Sequence, residues 1–345
     1  MSKTIVICSD GTWNKPEEDL EKDIPTNVLK LSRAIAPKNK NNEKQVVFYD
    51  WGIGTYHDKA SGGAFGAGLE KNVMDCYRFI VQNYEKNDKI FLFGFSRGAY
   101  TVRSLCGLIN TCHILKSEHG NQVNAAFDLY KNPKHSPNSA KAKKFRSSFA
   151  VAGKPKIDFI GAWDTVGAMG IPFTLFGLLK KKHVFYDNKM GSNIKVARHA
   201  LALDEQRDDF APTLWQPRPS VDLKQVWFCG SHSDIGGGNP PSKGSLQSDF
   251  ALMWMVSEAE KFGLTVKPHI KVPKKSLNVT TKLNNSFKGL IVMLGKKVRD
   301  IPDPKEIPTF VHQSVLDRMA KSKYHAKPLK AFSANSEKPL PVEPY

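Results

Sequence analysis

The sequence predicts an α/β fold: a doubly wound, mostly parallel sheet with helical and loop insertions. Three observations carry this. Short apolar runs rich in Val, Ile and Phe alternate along the chain with segments of helical length, the pattern of successive βαβ units. Most of the runs lack in/out alternation, as strands covered on both faces do. Each run also ends in a polar, Gly-rich stretch, so the strand ends converge on one rim, where ligands bind in such sheets.

Taken in order, the first strand is TIVIC, Thr4–Cys8, ending at SDGTWN. A helix over Asn27–Ala36 leads to QVVFYD, Gln45–Asp50, which ends at WGIGT. A second helix, Leu69–Tyr84, precedes KIFLFGF, Lys89–Phe95, and the turn FSRGA passes directly into a helix over Gly98–Leu108. Residues 112–154 are polar, rich in Lys and Asn, and read as an insertion. KIDFIGAW, Lys156–Trp163, ends at WDTVG, and a second insertion, 166–222, opens with VGAMGIPFTLFGLLKKK. QVWFCG, Gln225–Gly230, ends at SHSDIGGG, and a helix over Leu246–Phe262 completes a core spanning 1–263. Residues 264–345 are expected to be a basic region packed on that core, its last stretch SANSEKPLPVEPY an extended, Pro-rich tail.

Composition limits the function classes. No window reaches the eighteen or so apolar residues of a membrane span, and the start, MSKTIVICSDG, has no signal-peptide pattern, so a cytoplasmic protein not exported by the Sec route is expected. Five cysteines, none in a C-x-x-C pair, suggest a reducing compartment and neither metal nor redox cofactor. The charge is +18, from 51 basic against 33 acidic residues, and Lys267–Arg299 contains no Asp or Glu. Such a surface attracts polyanions, whether nucleic acid or anionic lipid headgroups. No nucleic-acid reading motif or aromatic-interleaved basic stripe accompanies it, so a specific nucleic-acid partner is not expected.

The chemistry centres on Gly94-Phe95-Ser96-Arg97-Gly98, a G-x-S-x-G pentad. The pentad alone arises by chance in about one chain in ten of this length. Here it joins a buried strand to a helix, the context of a nucleophile elbow. A serine hydroxyl needs a base and a carboxylate to orient that base. His232, just past the fifth strand, and Asp164, at the end of the fourth, have the required order and location. His312 in PTFVHQSV is an alternative base. Asp234 is an alternative acid, or the cap of the turn formed with the glycines after it. Oxyanion donors are expected from the Arg97 N–H and from the loop of Gly11 and Thr12, with Asp10 ordering that loop. The Arg97 guanidinium is expected to pair with Asp10 or Asp234. CSDGT lacks the nucleophilic aspartate of D-x-D-G-T phosphatases, and GGAFGAGLE, Gly62–Glu70, lacks the ending of a phosphate loop, so both read as rim loops. In the second insertion Phe173, Leu175 and Phe176, followed by Lys180, Lys181 and Lys182, suggest an apolar flap with cations at a lipid interface.

SDGTWN, GIGT, GFSRGAYTVR, GAWDTVG, ALDEQRDDFAP, VWFCGSHSDIGGG and VHQSV occur in that order over about residues 4–320. In this series the chain resembles the domain-of-unknown-function family of α/β hydrolases that includes the type VI secretion phospholipase effectors of the first class. The resemblance implies an α/β-hydrolase-like serine hydrolase acting on acyl esters of phospholipids, with its triad at Ser96, Asp164 and His232. It also implies a secretion-machinery or immunity partner if the chain is an effector. A carboxylesterase or acyltransferase on small acyl esters, and a non-catalytic basic protein binding polyanions, are the alternatives.

Overall fold

A computed structural model describes residues 2–12, 14, 16–19, 23–52, 62–166, 190–238, 246–285 and 297–345. Among them, eight strands form one sheet in the order β2-β1-β3-β4-β5-β6-β7-β8, and every neighbouring pair is parallel. The strands are β1 Thr4–Ser9, β2 Gln45–Asp50, β3 Lys89–Phe95, β4 Ile157–Trp163, β5 Ile194–Ala202, β6 Asp222–Phe228, β7 Thr309–His312 and β8 Val342–Glu343. β1 lies between β2 and β3, so the strand order reverses there, and the crevice at such a switch point lies beyond the C-terminal ends of the strands.

Helices cover both faces: α1 Asn27–Ala34, α2 Gly62–Asn83, α3 Arg97–Cys112, α4 Val123–Lys131, α5 Ala140–Phe149, α6 His232–Gly236, α7 Ser248–Lys261, α8 Gln313–Lys321 and α9 Lys327–Asn335. One apolar layer packs Ile5, Ile7, Ile90 and Leu92 against α2, α3 and α4. The opposite layer packs Val6, Phe91, Phe93 and Phe159 against α1 and α7. Alternate residues of one strand thus serve two cores, which explains the unbroken apolar runs. A third cluster joins Trp227 and Val311 to Phe332 and Leu340.

The structure differs from expectation at four places. β5 lies within 166–222, where an insertion was expected, and its character is concealed by Arg198 and His199. Both are buried, Arg198 because Glu258 (2.5 Å from Nε) and Asp222 (2.8 Å from Nη2) satisfy it. Gly62–Glu70, expected as a rim loop, forms the first turns of α2. The helix expected over Asn27–Ala36 ends at Ala34, where the chain turns at Ile35 (ψ 124°). The C-terminal stretch, expected as an extended tail, adds β8 to the sheet. There Glu343 accepts from Lys224 Nζ (2.8 Å) and Trp254 Nε1 (3.1 Å). The expected flap residues Phe173, Leu175, Phe176, Lys180, Lys181 and Lys182 lie outside the described residues. No helix among the described residues is long and apolar enough to cross a membrane.

Candidate active site

Ser96 sits between β3 and α3 in a conformation few L-residues adopt, with φ 56° and ψ −121°. Two glycines make this turn possible. A Cβ on Gly94 would stand 2.4 Å from Gly98 O, and one on Gly98 would stand 2.0 Å from Ser9 O. Only a bare backbone lets strand, turn and helix approach this closely.

The turn carries Ser96 Oγ to 2.9 Å from His232 Nε2, and His232 Nδ1 lies 2.6 Å from Asp164 Oδ2. In the neutral ring this assigns the proton to Nδ1, donating to Asp164, and leaves Nε2 to accept from the serine hydroxyl. The imidazole packs against Phe95, with centroids 4.6 Å apart, and meets Phe210 edge-on at 4.9 Å. Burial lowers its pKa against the opposing bond and charge of Asp164, favouring the neutral base.

Asp164 is fully buried at the end of β4, with φ 39°. Its Oδ1 accepts from Ala202 N (3.0 Å) and Arg299 Nη1 (2.6 Å), and its Oδ2 from His232 and Arg299 Nη2 (3.0 Å). Burial alone would push the carboxyl up, but the Arg299 charge and the His232 bond hold it well below the usual carboxylate range.

α6 positions the histidine. Ser231 caps it, and Asp234 accepts from Ser231 N (2.8 Å) and from Asn284 Nδ2 (2.6 Å). Asp234 therefore closes a capping box with Ser231 before it, rather than the turn with the glycines after it that was expected. Glu205, after β5, accepts from His232 N (3.2 Å). Despite burial its pKa falls to about 2 under the Arg207 bonds.

The loop after β1 meets the elbow: a Cβ on Gly11 would stand 3.2 Å from Ser96 Cβ. Asp10 accepts from Gly11 N (2.7 Å), Thr26 Oγ1 (2.5 Å) and Tyr49 Oη (2.7 Å), which orders the loop. The Gly11 N–H, expected to face an oxyanion, thus donates to Asp10. Thr12 Oγ1 is buried with no hydrogen-bond partner among the described residues. Asp10 and Asp234 are held by these groups and not by the Arg97 guanidinium that was expected to pair with one of them. Burial lowers the Arg97 pKa to about 10. His312 is not brought to Ser96. Its Nδ1 faces Ser314 Oγ (2.8 Å), and its ring stacks on Phe228 with centroids 4.6 Å apart.

Arg299, Glu205 and Phe210 were not singled out in the sequence. Glu205 and Phe210 lie in ALDEQRDDFAP, one of the stretches that carry the family resemblance. Arg299 ends the acid-free basic segment read as a polyanion surface, yet it is 5% exposed and points inward. Among the described residues no group of three or more His, Cys, Asp or Glu side chains could hold a metal ion.

A parallel sheet with a serine on a left-handed elbow, hydrogen-bonded through histidine to a buried aspartate, defines an α/β-hydrolase-like protein. Residues 3–258 match the family described as T6SS, phospholipase effector Tle1-like, catalytic domain. The chain belongs to that family. It is 26% identical over 269 residues to the uncharacterized protein YEL023C of Saccharomyces cerevisiae, covering 71% of this chain and 37% of that protein. Among solved structures it is similar to the Tle1 effector bound to the VgrG spike of the type 6 secretion system, with TM-score 0.44, 20% identity, and coverage of 70% of this chain and 52% of that one. It is also similar to an uncharacterized protein from Pseudomonas aeruginosa, with TM-score 0.44, 17% identity, and coverage of 79% and 48%. The chain thus spans only about a third to a half of the length of these relatives.

Proposed function

We propose that the protein is a serine hydrolase of phospholipid acyl esters, a phospholipase A, acting through Ser96, His232 and Asp164. The observation that carries the reading is the pair of hydrogen bonds from Ser96 Oγ to His232 and from His232 to Asp164, at an elbow only its glycines permit. The family's phospholipase description supplies the substrate class.

In this reading Ser96 Oγ attacks the ester carbonyl carbon while His232 Nε2 takes the hydroxyl proton. Asp164 stabilises the imidazolium formed. The oxyanion is met by the Arg97 N–H, at the start of α3, and by the Gly11–Thr12 loop, where the Thr12 hydroxyl has no other partner among the described residues. His232 returns the proton to the departing alcohol oxygen, leaving an acyl-serine. Water then attacks that ester, its proton passing through His232 back to Ser96 as the fatty acid leaves. The net charge of +18 favours anionic headgroups as the working surface. The family's effector description extends the proposal to secretion from the producing cell, with a partner in the secretion machinery.

Product analysis on defined phospholipid vesicles, wild type against Ser96→Ala, tests the reading. Fatty acid and lysophospholipid should form with the wild type and fall by a factor on the order of 10⁶ in the variant. Equal turnover by the two proteins would falsify the serine mechanism. Hydrolysis of short monomeric esters alone would move the substrate to small acyl esters.

A further inference from the structure

We infer that Arg299 is a positioning residue for the proposed triad: it fixes the Asp164 carboxylate and weakens the pull of that carboxylate on His232. The inference rests on the serine-hydrolase reading above. It concerns a residue outside the 3–258 segment that matches the family, within the stretch whose composition suggested a polyanion-attracting surface.

The geometry is specific. The guanidinium grips both oxygens of Asp164, with Nη1 2.6 Å from Oδ1 and Nη2 3.0 Å from Oδ2. The same two nitrogens donate to Ala202 O (2.9 Å) and Phe210 O (2.6 Å). One side chain therefore ties together the acid after β4, the end of β5 and the residue whose ring meets His232 edge-on. Asp164 is held in a left-handed conformation at φ 39°, which persists only where surroundings over-determine it. With the Ala202 N–H and His232 added, each carboxylate oxygen has two partners. The carboxylate plane cannot rotate without breaking several bonds at once.

The electrostatic consequence has a definite sign. An unopposed carboxylate stabilises imidazolium and raises the basicity of the ring. Here a buried cation shares Oδ2 with the imidazole, so His232 faces a carboxylate whose charge is largely matched. Among the described residues the other charged groups facing the ring are Glu205, bonded to its backbone N–H, and Arg207, bonded in turn to Glu205. Next to Asp164 in the chain, Thr165 N donates to His199 Nε2 (3.1 Å), and burial and the Arg103 charge lower the pKa of that ring to about 3 against the charge of Asp164. Glu205 and Arg207 act on the ring in opposite directions, whereas Arg299 acts on it through the carboxylate oxygen that both share. Removing its charge should favour imidazolium, so the base becomes available only at higher pH.

The test is the rate of covalent labelling of Ser96 by a fluorophosphonate across pH 4–9, which needs no knowledge of the natural substrate. Arg299→Gln keeps a donor to Asp164 but loses the charge, and its acid limb should move up by about one pH unit. Arg299→Lys keeps the charge but loses the fork, and should retain the wild-type limb with a plateau rate lower by about tenfold. A folded Arg299→Gln with an unmoved acid limb overturns the electrostatic role. If that variant does not fold, a wild-type plateau in Arg299→Lys overturns positioning. Failure of the parent reading looks different, since Ser96→Ala would then be labelled as fast as the wild type.

Discussion

Gly98→Ala is the substitution that most directly probes the elbow. The added Cβ would stand 2.0 Å from Ser9 O, 2.5 Å from Ser9 C and 2.6 Å from Asp10 O, all backbone atoms of β1 and the loop after it. Real Cβ atoms do not come within 3.0 Å of such neighbours, so α3 must withdraw from β1 by about 1 Å. Ser96 precedes α3 directly, and its Oγ would leave its 2.9 Å contact with His232 Nε2 by a similar amount. Overpacking of this kind costs about 1–3 kcal/mol, a fall in Tm of roughly 1–4 °C for a protein of this size. Misplacement of a reacting group by about 1 Å costs on the order of 10²-fold in rate. The assay is fluorophosphonate labelling of Ser96 alongside thermal unfolding. Gly120→Ala serves as control, because a Cβ there meets nothing within 4 Å. Labelling of Gly98→Ala within threefold of wild type at an unchanged Tm would refute the claim that close backbone approach builds the site.

Two further outcomes follow from the same structure. His232→Ala should lose at least about 10⁴-fold in turnover, whereas His312→Ala, stacked on Phe228, should lose stability and keep turnover within a few-fold. The reverse ranking would return the base to His312. Asp50 at the end of β2 is buried, which raises its pKa to about 7 against the Ser9 hydrogen bond. A carboxyl whose folded-state pKa exceeds its unfolded value contributes stability below about pH 4 that is lost as pH rises through 7. Asp50→Asn should therefore gain in Tm relative to wild type between pH 5 and pH 8, and a flat difference across that range would exclude this role.

Much of the site was legible because its requirements are local. A buried run, a pentad with glycines on either side of the serine and a following helix specify the Ser96 turn without reference to the rest of the chain. Asp164 and His232 were legible because a parallel sheet gathers its strand ends, so a carboxylate and an imidazole at two of them become neighbours. What escaped notice were the buried charges. Arg198 interrupts β5 and reads as surface, but in the fold it meets Glu258, 60 residues away. Arg299 belongs by composition to a cationic surface and by structure to Asp164, 135 residues earlier. No local pattern reports a partner at such separations, and a buried ion pair is invisible until both halves are placed. β7 and β8, only four and two residues long, carry too little apolar sequence to announce themselves.

The arrangement also indicates where the protein gives up stability. Ser96 and Asp164 both have positive φ, at 56° and 39°, and such backbone costs of order 1–3 kcal/mol per residue. Neither is relieved by glycine, and in the proposed mechanism each position needs its side chain. The compensation lies in the surroundings: Ser96 N donates to Trp163 O (3.0 Å), and Asp164 N donates to Ala200 O (2.8 Å). The first of these bonds links the serine turn to the strand that ends at the aspartate. Strain at one residue is therefore held by the strand that carries the other. A substitution that loosens β4 should disturb both proposed catalytic groups together.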